Sequence, residues 1–456
     1  MASIVNSGGR LDRLPIGSFH RRIMWLIGIG MFFDGFDIYV QGSVLAATLH
    51  SGFSTLPMNA AFVSATFIGM MLGSFLTGFL GDRYGRRFTY QFNLMIFGLA
   101  SIAAAFAPNM IVLIGLRFII GFGLGAENVV GYSTMTEFVP AATRGRWLGF
   151  MALIVVCGLP AASLMSYLLV PTIGWRSMFI LGGVGALIVW YLRKSLPESP
   201  RWLESVGRTQ EADELLRAIE AETTRDGRVL PPAAPPAATA EPVAFAALFA
   251  PPMLSRMILG CISLVVINTL IYGFITWLPT FLVHQGMSIA TSFGYVLLMA
   301  LGAPLGTAIA ALTADRWGRR PTIIGASLIA IIFGYIYPSV TNPVVLPMVG
   351  FALTVPIYVL VALLFGIYIP ELFPTEVRLR ASGICNTVGR GATIVTPFIV
   401  VSLFDAGGVG SVLTLMISLL VLQILAILVL GIEPAKRQLE AMTPDGKPAE
   451  RKVLSA

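Results

Sequence analysis

The sequence has little charge: Asp, Glu, Lys and Arg make up 12% of its 456 residues, whereas hydrophobic residues make up 56%. A soluble globular chain carries about 25% charged residues, so this composition excludes an ordinary soluble fold. Cysteine and histidine are also scarce, with three of each: Cys157, Cys261, Cys385, His20, His50 and His284. Their spacing fits neither a disulfide framework nor a metal site, so no metal and no other cofactor is expected.

Long apolar runs are abundant instead. Twelve stretches of about 20 residues, long enough to cross a bilayer, recur along the chain: 22–48, 58–80, 89–107, 110–138, 148–170, 177–194, 254–283, 288–313, 322–338, 344–370, 382–403 and 410–432. Backbone in lipid must satisfy its own hydrogen bonds, and helices of this length do so. The first run is too long for a signal-peptide core, so it is expected to be retained. The sequence therefore predicts an all-α membrane protein with twelve transmembrane helices.

The basic residues are distributed asymmetrically. Arg117 and Arg390 lie inside predicted spans and Arg176 lies in an outer loop, while the other Lys and Arg lie in the tails, the even-to-odd loops and the adjoining span ends. Basic residues accumulate on the cytoplasmic side of a membrane. Both tails and the central loop are therefore predicted to be cytoplasmic, in a multi-pass protein of the bacterial inner membrane. The net charge of +7 indicates this topology and not nucleic-acid binding.

The chain repeats itself at about half its length. GDRYGRR at 81–87 recurs as ADRWGRR at 314–320, and TEFVPAATRGRWLG at 136–149 recurs as PELFPTEVRLRASG at 370–383. Such self-similarity indicates two copies of one unit. The predicted organisation is a tail, a six-helix bundle, a cytoplasmic linker with a helical segment, a second six-helix bundle and a second tail, at residues 1–21, 22–194, 195–252, 253–432 and 433–456.

These motifs, together with PESPRW at 197–202, resemble the major facilitator superfamily over nearly the whole chain, and two of them resemble its sugar-porter branch. DGFD at 34–37 resembles the DGxD element of aromatic acid:proton symporters, and the contexts of Glu127 and Arg390 resemble niacin-type permeases. The resemblance implies alternating access of two six-helix halves. It also implies a monomer in the lipid bilayer, whose partners are a small organic acid and protons.

The charged residues of the repeated motifs are candidates for a cytoplasmic gate. In the family such loops form charge-pair networks with neighbouring helix ends, and the matching residues are Asp82, Arg83, Arg86, Arg87, Glu137, Arg144, Glu198, Asp315, Arg316, Arg319, Arg320, Glu371 and Arg378. Half-exposed pairs contribute about 0–1 kcal/mol each, yet as a set they can bias a two-state equilibrium. The alternative is that these residues act only as topology signals.

Two carboxylates, Asp34 and Asp37, lie deep in the first span, where an ionised group costs about 2.5–3.5 kcal/mol. With Gln41 they fall on one helical face, which predicts that they face a cavity. Asp37 and Arg117 match the Asp–Arg pair of proton-coupled sugar porters. Because burial disfavours a carboxylate and a nearby Arg favours it, engagement of Arg117 can set whether Asp37 holds a proton. The alternatives are a static salt bridge for this pair, and substrate binding or a local polar network for Asp34.

Interior charge also occurs in the fourth and eleventh spans. Glu127 and Asn128 are candidates for proton relay or substrate contact, unless Glu127 is only a protonated acid bonded to a neighbouring helix. Arg390 lies in a half with no acid well inside any span. Its planar fork suits a carboxylate, which predicts substrate binding. The alternative is an Arg held by backbone carbonyls at a helix break.

The seventh span supplies aromatic side chains that suit a flat substrate. Tyr272 and Trp277 are candidate substrate contacts, with Phe274 between them, although core packing explains such residues equally well. Asn268 and Tyr358 are weaker candidates for the same cavity.

The sequence therefore favours a proton-coupled importer of a small organic acid, aromatic or heteroaromatic. A proton-coupled sugar or polyol porter is the main alternative, favoured by PESPRW and PELFPTEVR but not by the few Gln and Asn of the seventh span. An organic-anion or drug exporter also stays open, since sequence does not fix direction. The sequence shows no nucleophile–base set of the kind that an enzyme needs. The clustering of polar positions at mid-depth disfavours a channel.

Overall fold

The computed structural model describes residues 5–140, 143–224, 229–233, 248–251, 253–373 and 377–432. The predicted C-terminal tail and much of the predicted linker lie outside these ranges. So do the side chains of three predicted gate residues: Asp82, Asp315 and Arg378. The described residues form helices joined by short connections and contain no strand. The chain divides into two compact units, residues 1–239 and 240–456.

The N-terminal unit begins with a short helix and ends with two helices outside the apolar spans. Its described α-helices are α1 Ser7–Asp12, α2 Ser18–His50, α3 Leu56–Tyr84, α4 Arg86–Ala105, α5 Met110–Phe138, α6 Arg144–Val156, α7 Gly158–Ile173, α8 Arg176–Leu192, α9 Pro200–Ser205 and α10 Thr209–Thr223. Six stretches are long and apolar enough to cross a membrane, with α6 and α7 forming a single stretch. A single turn of 3₁₀ helix, Arg193–Ser195, follows α8.

Local sequence explains where these helices begin. The side chain of Asn109 accepts the backbone N–H of Val112 at 3.0 Å and caps α5, which satisfies one of the donors that a helix start leaves unpaired. The turn between α3 and α4 requires Gly85, whose φ is 91°, a conformation that side chains with a Cβ rarely adopt. Gly318 has a φ of 90° at the matching turn of the C-terminal unit. The repeated D-R-x-G-R-R motif therefore produces the same turn twice.

Helices α3 and α5 pack closely because glycines of α5 face the α3 backbone. A Cβ on Gly121 would lie 2.2 Å from the carbonyl oxygen of Thr66, and a Cβ on Gly125 would lie 2.1 Å from that of Met70. Only glycine permits this approach. It brings Arg117, one turn before Gly121, against α3.

A segment that we call the N-terminal strap, residues 5–13, lies across α9 and α10. Backbone N–H groups of Asn6 and Ser7 donate to Glu204 at 2.9 and 2.8 Å. Arg10 donates to Glu220 at 2.7 Å, and Leu11 is fully buried in the apolar cluster of this unit. The segment is therefore fastened at both polar and apolar contacts.

The C-terminal unit has more interrupted helices. Its described α-helices are α11 Met253–Leu270, α12 Leu278–His284, α13 Ile289–Ala300, α14 Gly302–Trp317, α15 Arg319–Ile336, α16 Val345–Leu363, α17 Ile369–Glu371 and α18 Arg378–Leu430. Five stretches are long and apolar enough to span a membrane, and the last of them covers 51 residues. Non-helical backbone at Gly407 and Gly408 divides α18, so this stretch accounts for the last two predicted spans. The twelve-helix prediction is confirmed.

Two segments of this unit are π-helical rather than α-helical. Ile271–Ile275 lies between α11 and α12, and Leu364–Tyr368 lies between α16 and α17. Single π turns inside helices are frequent at functional sites. The first of them contains Tyr272, one of the predicted substrate contacts.

Candidate proton and substrate sites

Asp37 and Arg117 form a buried ion pair in the N-terminal unit. Nη1 of Arg117 donates to Oδ2 of Asp37 at 2.5 Å, and the two side chains are 0% and 3% exposed. Arg117 also donates from Nη2 to the backbone oxygen of Asp37 at 3.1 Å and from Nε to the hydroxyl of Thr66 at 3.0 Å. Its guanidinium carbon lies 5.2 Å from the ring centre of Phe62. The structure thus places together the two residues that match the Asp–Arg pair of proton-coupled sugar porters.

Asp34 and Gln41 are buried on the same helix as Asp37. Asp34 is 0% exposed and Gln41 is 1% exposed. Both carboxylate oxygens of Asp34 and both polar side-chain atoms of Gln41 are without a hydrogen-bond partner in the part of the chain that the structure describes. Asp34 interacts electrostatically with Glu127, Arg193 and Asp37. A buried polar group without a partner is costly, so these atoms mark a place where a proton, water or ligand group is needed.

Glu127 pairs with Arg193, a residue that the sequence analysis had not singled out. Nη1 of Arg193 donates to Oε1 of Glu127, and the two side chains are 0% and 2% exposed. Arg193 also donates to the backbone oxygens of Leu26 at 2.7 Å and Ile27 at 2.8 Å, and its guanidinium lies over the ring of Tyr90. Among the described residues, Oε2 of Glu127 has no hydrogen-bond partner.

Arg193 had no local signal of this role. It follows the last residue of α8 and precedes Lys194, so it has the position of an ordinary basic residue at the end of a span. Only its partners, which are distant in sequence, distinguish Arg193, because its side chain bonds α2 and α5. Asn128, next to Glu127, is half-buried.

Arg390 lies within the helix α18 of the C-terminal unit. Its side chain is half-buried, and its Nη1 is buried without a hydrogen-bond partner in the described ranges. Tyr272 of the π turn interacts electrostatically with Arg390. The backbone oxygen of Arg390 accepts the hydroxyl of Thr393 at 2.5 Å. Because Nη1 does not bond a carbonyl there, the structure gives no support to backbone carbonyls as its partner.

The remaining predicted contacts lie on α11 to α12 and on α16. Asn268 donates to the backbone oxygen of Leu264 at 2.6 Å and lies beside Gly389, where a Cβ would come within 2.9 Å of its amide nitrogen. Trp277 is fully buried, and its Nε1 has no hydrogen-bond partner among residues the structure describes. Tyr358 is also fully buried. Phe274 packs edge-on against Tyr337, which is core packing.

The charged residues of the repeated motifs form matching pairs at one end of each unit, which we call the basic end. In the N-terminal unit Arg86 pairs with Glu137 at 3.0 Å; in the C-terminal unit Arg319 pairs with Glu371 at 2.9 Å. Glu198 accepts the backbone N–H groups of Arg86 at 2.9 Å and Arg87 at 3.3 Å. Burial raises the pKa of Glu198 above its usual value, although these N–H groups act in the opposite direction.

Some predicted gate residues have other partners. Arg144 lies 3.7 Å from Asp12 of the strap rather than pairing with Glu137, because it begins α6 while Glu137 meets the start of α4. Arg87 donates to the backbone oxygen of Lys194 at 2.8 Å, and Arg320 to that of Ile427 at 2.9 Å. Arg83 and Arg316 are exposed.

Comparison with known proteins gives the family of this chain. Residues 23–445 match the family described as sugar (and other) transporter. The chain is 36% identical over 444 residues to the inner membrane metabolite transport protein YdjE of Escherichia coli, covering 96% of this chain and 98% of that protein. It is 32% identical over 437 residues to the niacin transporter NiaP of Acinetobacter baylyi, covering 95% and 98%.

A solved structure of a D-xylose-proton symporter has a TM-score of 0.71 and 18% identity, covering 91% of this chain and 99% of that chain. At this identity the likeness shows the fold alone. The fold and the relatives together define a multi-pass membrane transporter. The chain belongs to the sugar (and other) transporter family.

Proposed function

We propose that this protein is a proton-coupled symporter of a small organic acid anion, with an aromatic or heteroaromatic carboxylate as the substrate class. The observation that carries the proposal is the buried Nη1 of Arg390, which has no hydrogen-bond partner in the described residues. A buried cation needs an anionic partner. A substrate carboxylate supplies one, and it makes two parallel bonds with a guanidinium.

Two aromatic residues of the seventh span support a flat substrate. Tyr272 lies within electrostatic range of the guanidinium of Arg390. One turn further along the chain, the indole N–H of Trp277 has no hydrogen-bond partner among the described residues. A tyrosine hydroxyl and an indole N–H can each bond a heteroatom of a ring that stacks nearby. The resemblance to a niacin transporter supports the same substrate class.

The ion pair of Asp37 and Arg117 supports proton coupling. A carboxylate at this depth is stable only while the guanidinium stays bound, because burial alone favours the neutral acid. Release of Arg117 and protonation of Asp37 are therefore linked. Asp34, one turn away on α2 and without a hydrogen-bond partner in the described part of the chain, is proposed to share the proton. Gln41 and Asn128 are proposed to complete the polar lining.

The basic ends of both units are proposed to face the cytoplasm, with both termini on that side and the protein acting as a monomer. The matched pairs Arg86–Glu137 and Arg319–Glu371 would then act as a cytoplasmic gate. Their partly exposed geometry supports pairs that open and close at low cost.

Uptake by purified protein in liposomes tests the proposal. Radiolabelled nicotinate, benzoate, 4-hydroxybenzoate, succinate and D-xylose are supplied with and without an imposed inward proton gradient. We expect saturable uptake of an aromatic acid that the gradient increases, together with counterflow. An Arg390→Lys variant should weaken binding of that acid. Its matched control is Arg256→Lys in the same unit, since Arg256 bonds the backbone oxygen of Leu372. Equal affinity of the wild type and Arg390→Lys would contradict the assignment.

A sugar or polyol porter is the second candidate, because the matching family is that of sugar (and other) transporters. The xylose arm of the same experiment decides between them. Gradient-driven xylose uptake without uptake of any acid would replace the first proposal with the second.

A further inference from the structure

Two guanidinium–carboxylate pairs are fully buried among the described residues of the N-terminal unit, and only one of them has a predicted role for both members. Arg117 and Glu127 are ten residues apart on α5, which is about 15 Å along the helix axis. On α2, Asp34 lies between Asp37, which belongs to the first pair, and Ile27, whose oxygen Arg193 contacts. By the same rise, Asp34 lies about 4.5 Å from Asp37 and about 10 Å from Ile27 along the axis of α2. The carboxyl of Asp34, which has no hydrogen-bond partner in the described residues, therefore lies between the two pairs.

Arg193 occupies a site that the bundle is shaped to receive. A Cβ on Gly30 would lie 1.9 Å from Nη2 and 2.5 Å from the guanidinium carbon of Arg193. Three donors of the guanidinium are used by Leu26, Ile27 and Glu127. This arrangement holds a cation deep in the unit with Glu127 as its bonded carboxylate.

We propose that Glu127 is a second proton site and that Arg193 is its positioning residue. Arg193 binds Glu127 while Glu127 is a carboxylate and releases it when Glu127 takes a proton. The inference rests on the proposed proton coupling and deepens it. A proton leaves the carboxyl of Asp34 and binds Oε2 of Glu127, the oxygen without a partner in the described residues. Asp34 becomes a carboxylate, Glu127 becomes a neutral acid, and the guanidinium keeps its own protons throughout.

Charge stays balanced inside the unit during this step. Before it, Arg193 faces the Glu127 carboxylate; after it, Arg193 faces Asp34, with which it already interacts electrostatically. The other titratable group against the pair is Tyr90 of α4, whose ring lies under the guanidinium and whose hydroxyl donates to the backbone oxygen of Val130 at 3.0 Å. That hydroxyl is occupied, so Asp34 is the available exchange partner in the described chain.

The step has a direct connection to the basic end. Arg193 lies five residues before Glu198, which accepts the N–H groups of Arg86 and Arg87 at the start of α4. A stretch of five residues therefore joins the interior pair to the turn at the start of α4.

A substrate-free experiment tests the second proton site itself. Infrared difference spectra of the reconstituted protein are recorded against pH, and the Glu127→Gln variant identifies the C=O band of protonated Glu127. In Arg193→Gln the pH midpoint of that band should rise by about one unit or more, because a nearby cation favours the carboxylate. Gly30→Ala, which displaces the guanidinium without changing any charge, should raise it as well. Arg193→Lys should stay near the wild type, as should Gly115→Ala, whose added Cβ meets open space.

Transport supplies the second readout and separates this inference from the proposed function. In Arg193→Gln, gradient-driven accumulation of nicotinate should fall about tenfold, the change in protonated fraction that one pH unit gives, while nicotinate counterflow continues. If the wild type transports no acid, the proposed function fails and the infrared arm still decides the inference. A Glu127 band that is absent from the wild type over the pH range tested, or whose midpoint is the same in wild type, Arg193→Gln and Gly30→Ala, overturns it.

Discussion

The two units share their basic ends and differ in their interiors. Gly85 and Gly318 make the same turn, and Arg86–Glu137 is matched by Arg319–Glu371. Inside, the N-terminal unit holds carboxylates bonded to guanidinium groups. In the C-terminal unit, the acidic side chains that the structure describes are those of Glu371 and Asp405, neither of them near Arg390 in sequence. The difference indicates that the two copies of the repeat keep the same turn and ion pair at the basic end, while their interior charged residues differ.

The helices diverge in the same sense. Candidate spans of the C-terminal unit contain π turns at Ile271–Ile275 and Leu364–Tyr368, whereas α2 and α5, which carry the ion pairs, are regular. A π turn shifts the direction of the side chains that follow it. Regular helices suit fixed pairs, and interrupted helices suit groups that must meet a ligand.

Breaking one interior cation in each unit should show this difference most strongly. Arg117→Gln leaves Asp37 as a buried acid without its partner, and loss of one member of a buried pair costs about 3–5 kcal/mol. Arg390→Gln removes a cation that has no bonded carboxylate in the described residues, so it should not lower stability. Thermal unfolding of the detergent-solubilised protein measures both changes.

The control for this pair of variants is the double change Asp37→Asn with Arg117→Gln. It removes both charges together, so it should recover a large part of the lost stability. Equal melting temperatures for Arg117→Gln and Arg390→Gln would remove the basis for assigning different roles to the two units.

One of the two buried ion pairs of the N-terminal unit could be predicted from the sequence, and the other could not. The resemblance to proton-coupled sugar porters matched Asp37 with Arg117, and the structure bonds them. Arg193 escaped prediction because its partners are distant in sequence, 66 residues away for Glu127 and more for Ile27. A basic residue at the end of a span also has a sufficient explanation in topology.

Other features were beyond local sequence for different reasons. The repeat identified Glu137 as one of a pair but not its partner, since Arg86 and Arg144 are both arginines at adjoining helix starts. The π turns have no side-chain pattern that distinguishes them from α-helix. The break at Gly407 and Gly408 was visible as a gap between two predicted spans, because adjacent glycines favour such a bend.

Substrate affinity should separate the units at an intermediate magnitude. Arg390→Lys keeps the charge but loses the planar fork, and a charge-assisted hydrogen bond contributes about 1.5–3 kcal/mol. Nicotinate affinity should therefore fall about tenfold or more, as measured by equilibrium binding. Arg117→Lys should instead alter the pH profile of uptake, because its proposed partner is a protein carboxylate. Identical effects of the two substitutions on both measurements would argue against the division of labour.

The basic ends should respond alike, and weakly. Double-mutant cycles on Arg86 with Glu137 and on Arg319 with Glu371 should each give about 0–1 kcal/mol, because every one of these side chains is partly exposed. Added salt should reduce both coupling energies. A coupling several times larger in one unit would mean that the repeat no longer performs the same task at both ends.

Acid should have the smallest expected effect of all, a local loosening of the N-terminal strap. Burial tends to raise the pKa of Glu220, but hydrogen bonds from Arg10 and Arg13 outweigh it and hold the pKa below the ordinary 4.5. A carboxyl with a lowered pKa stabilises the folded state fully above its ordinary value and loses that contribution as the pH falls through the folded value. Amide hydrogen exchange of residues 5–13 should therefore stay slow above pH 4.5 and accelerate below it, relative to α5 in the same sample.

Glu220→Gln should accelerate exchange at every pH and remove the acid dependence that Glu220 contributes. Because the described ion pairs of the strap are with α9, α10 and Arg144 of α6, and none is with Asp37, Arg117, Glu127 or Arg193, amide exchange at the interior pairs should not change. Simultaneous acceleration in α5 would show that acid opens the unit as a whole, and the strap would then report global stability rather than its own ion pairs.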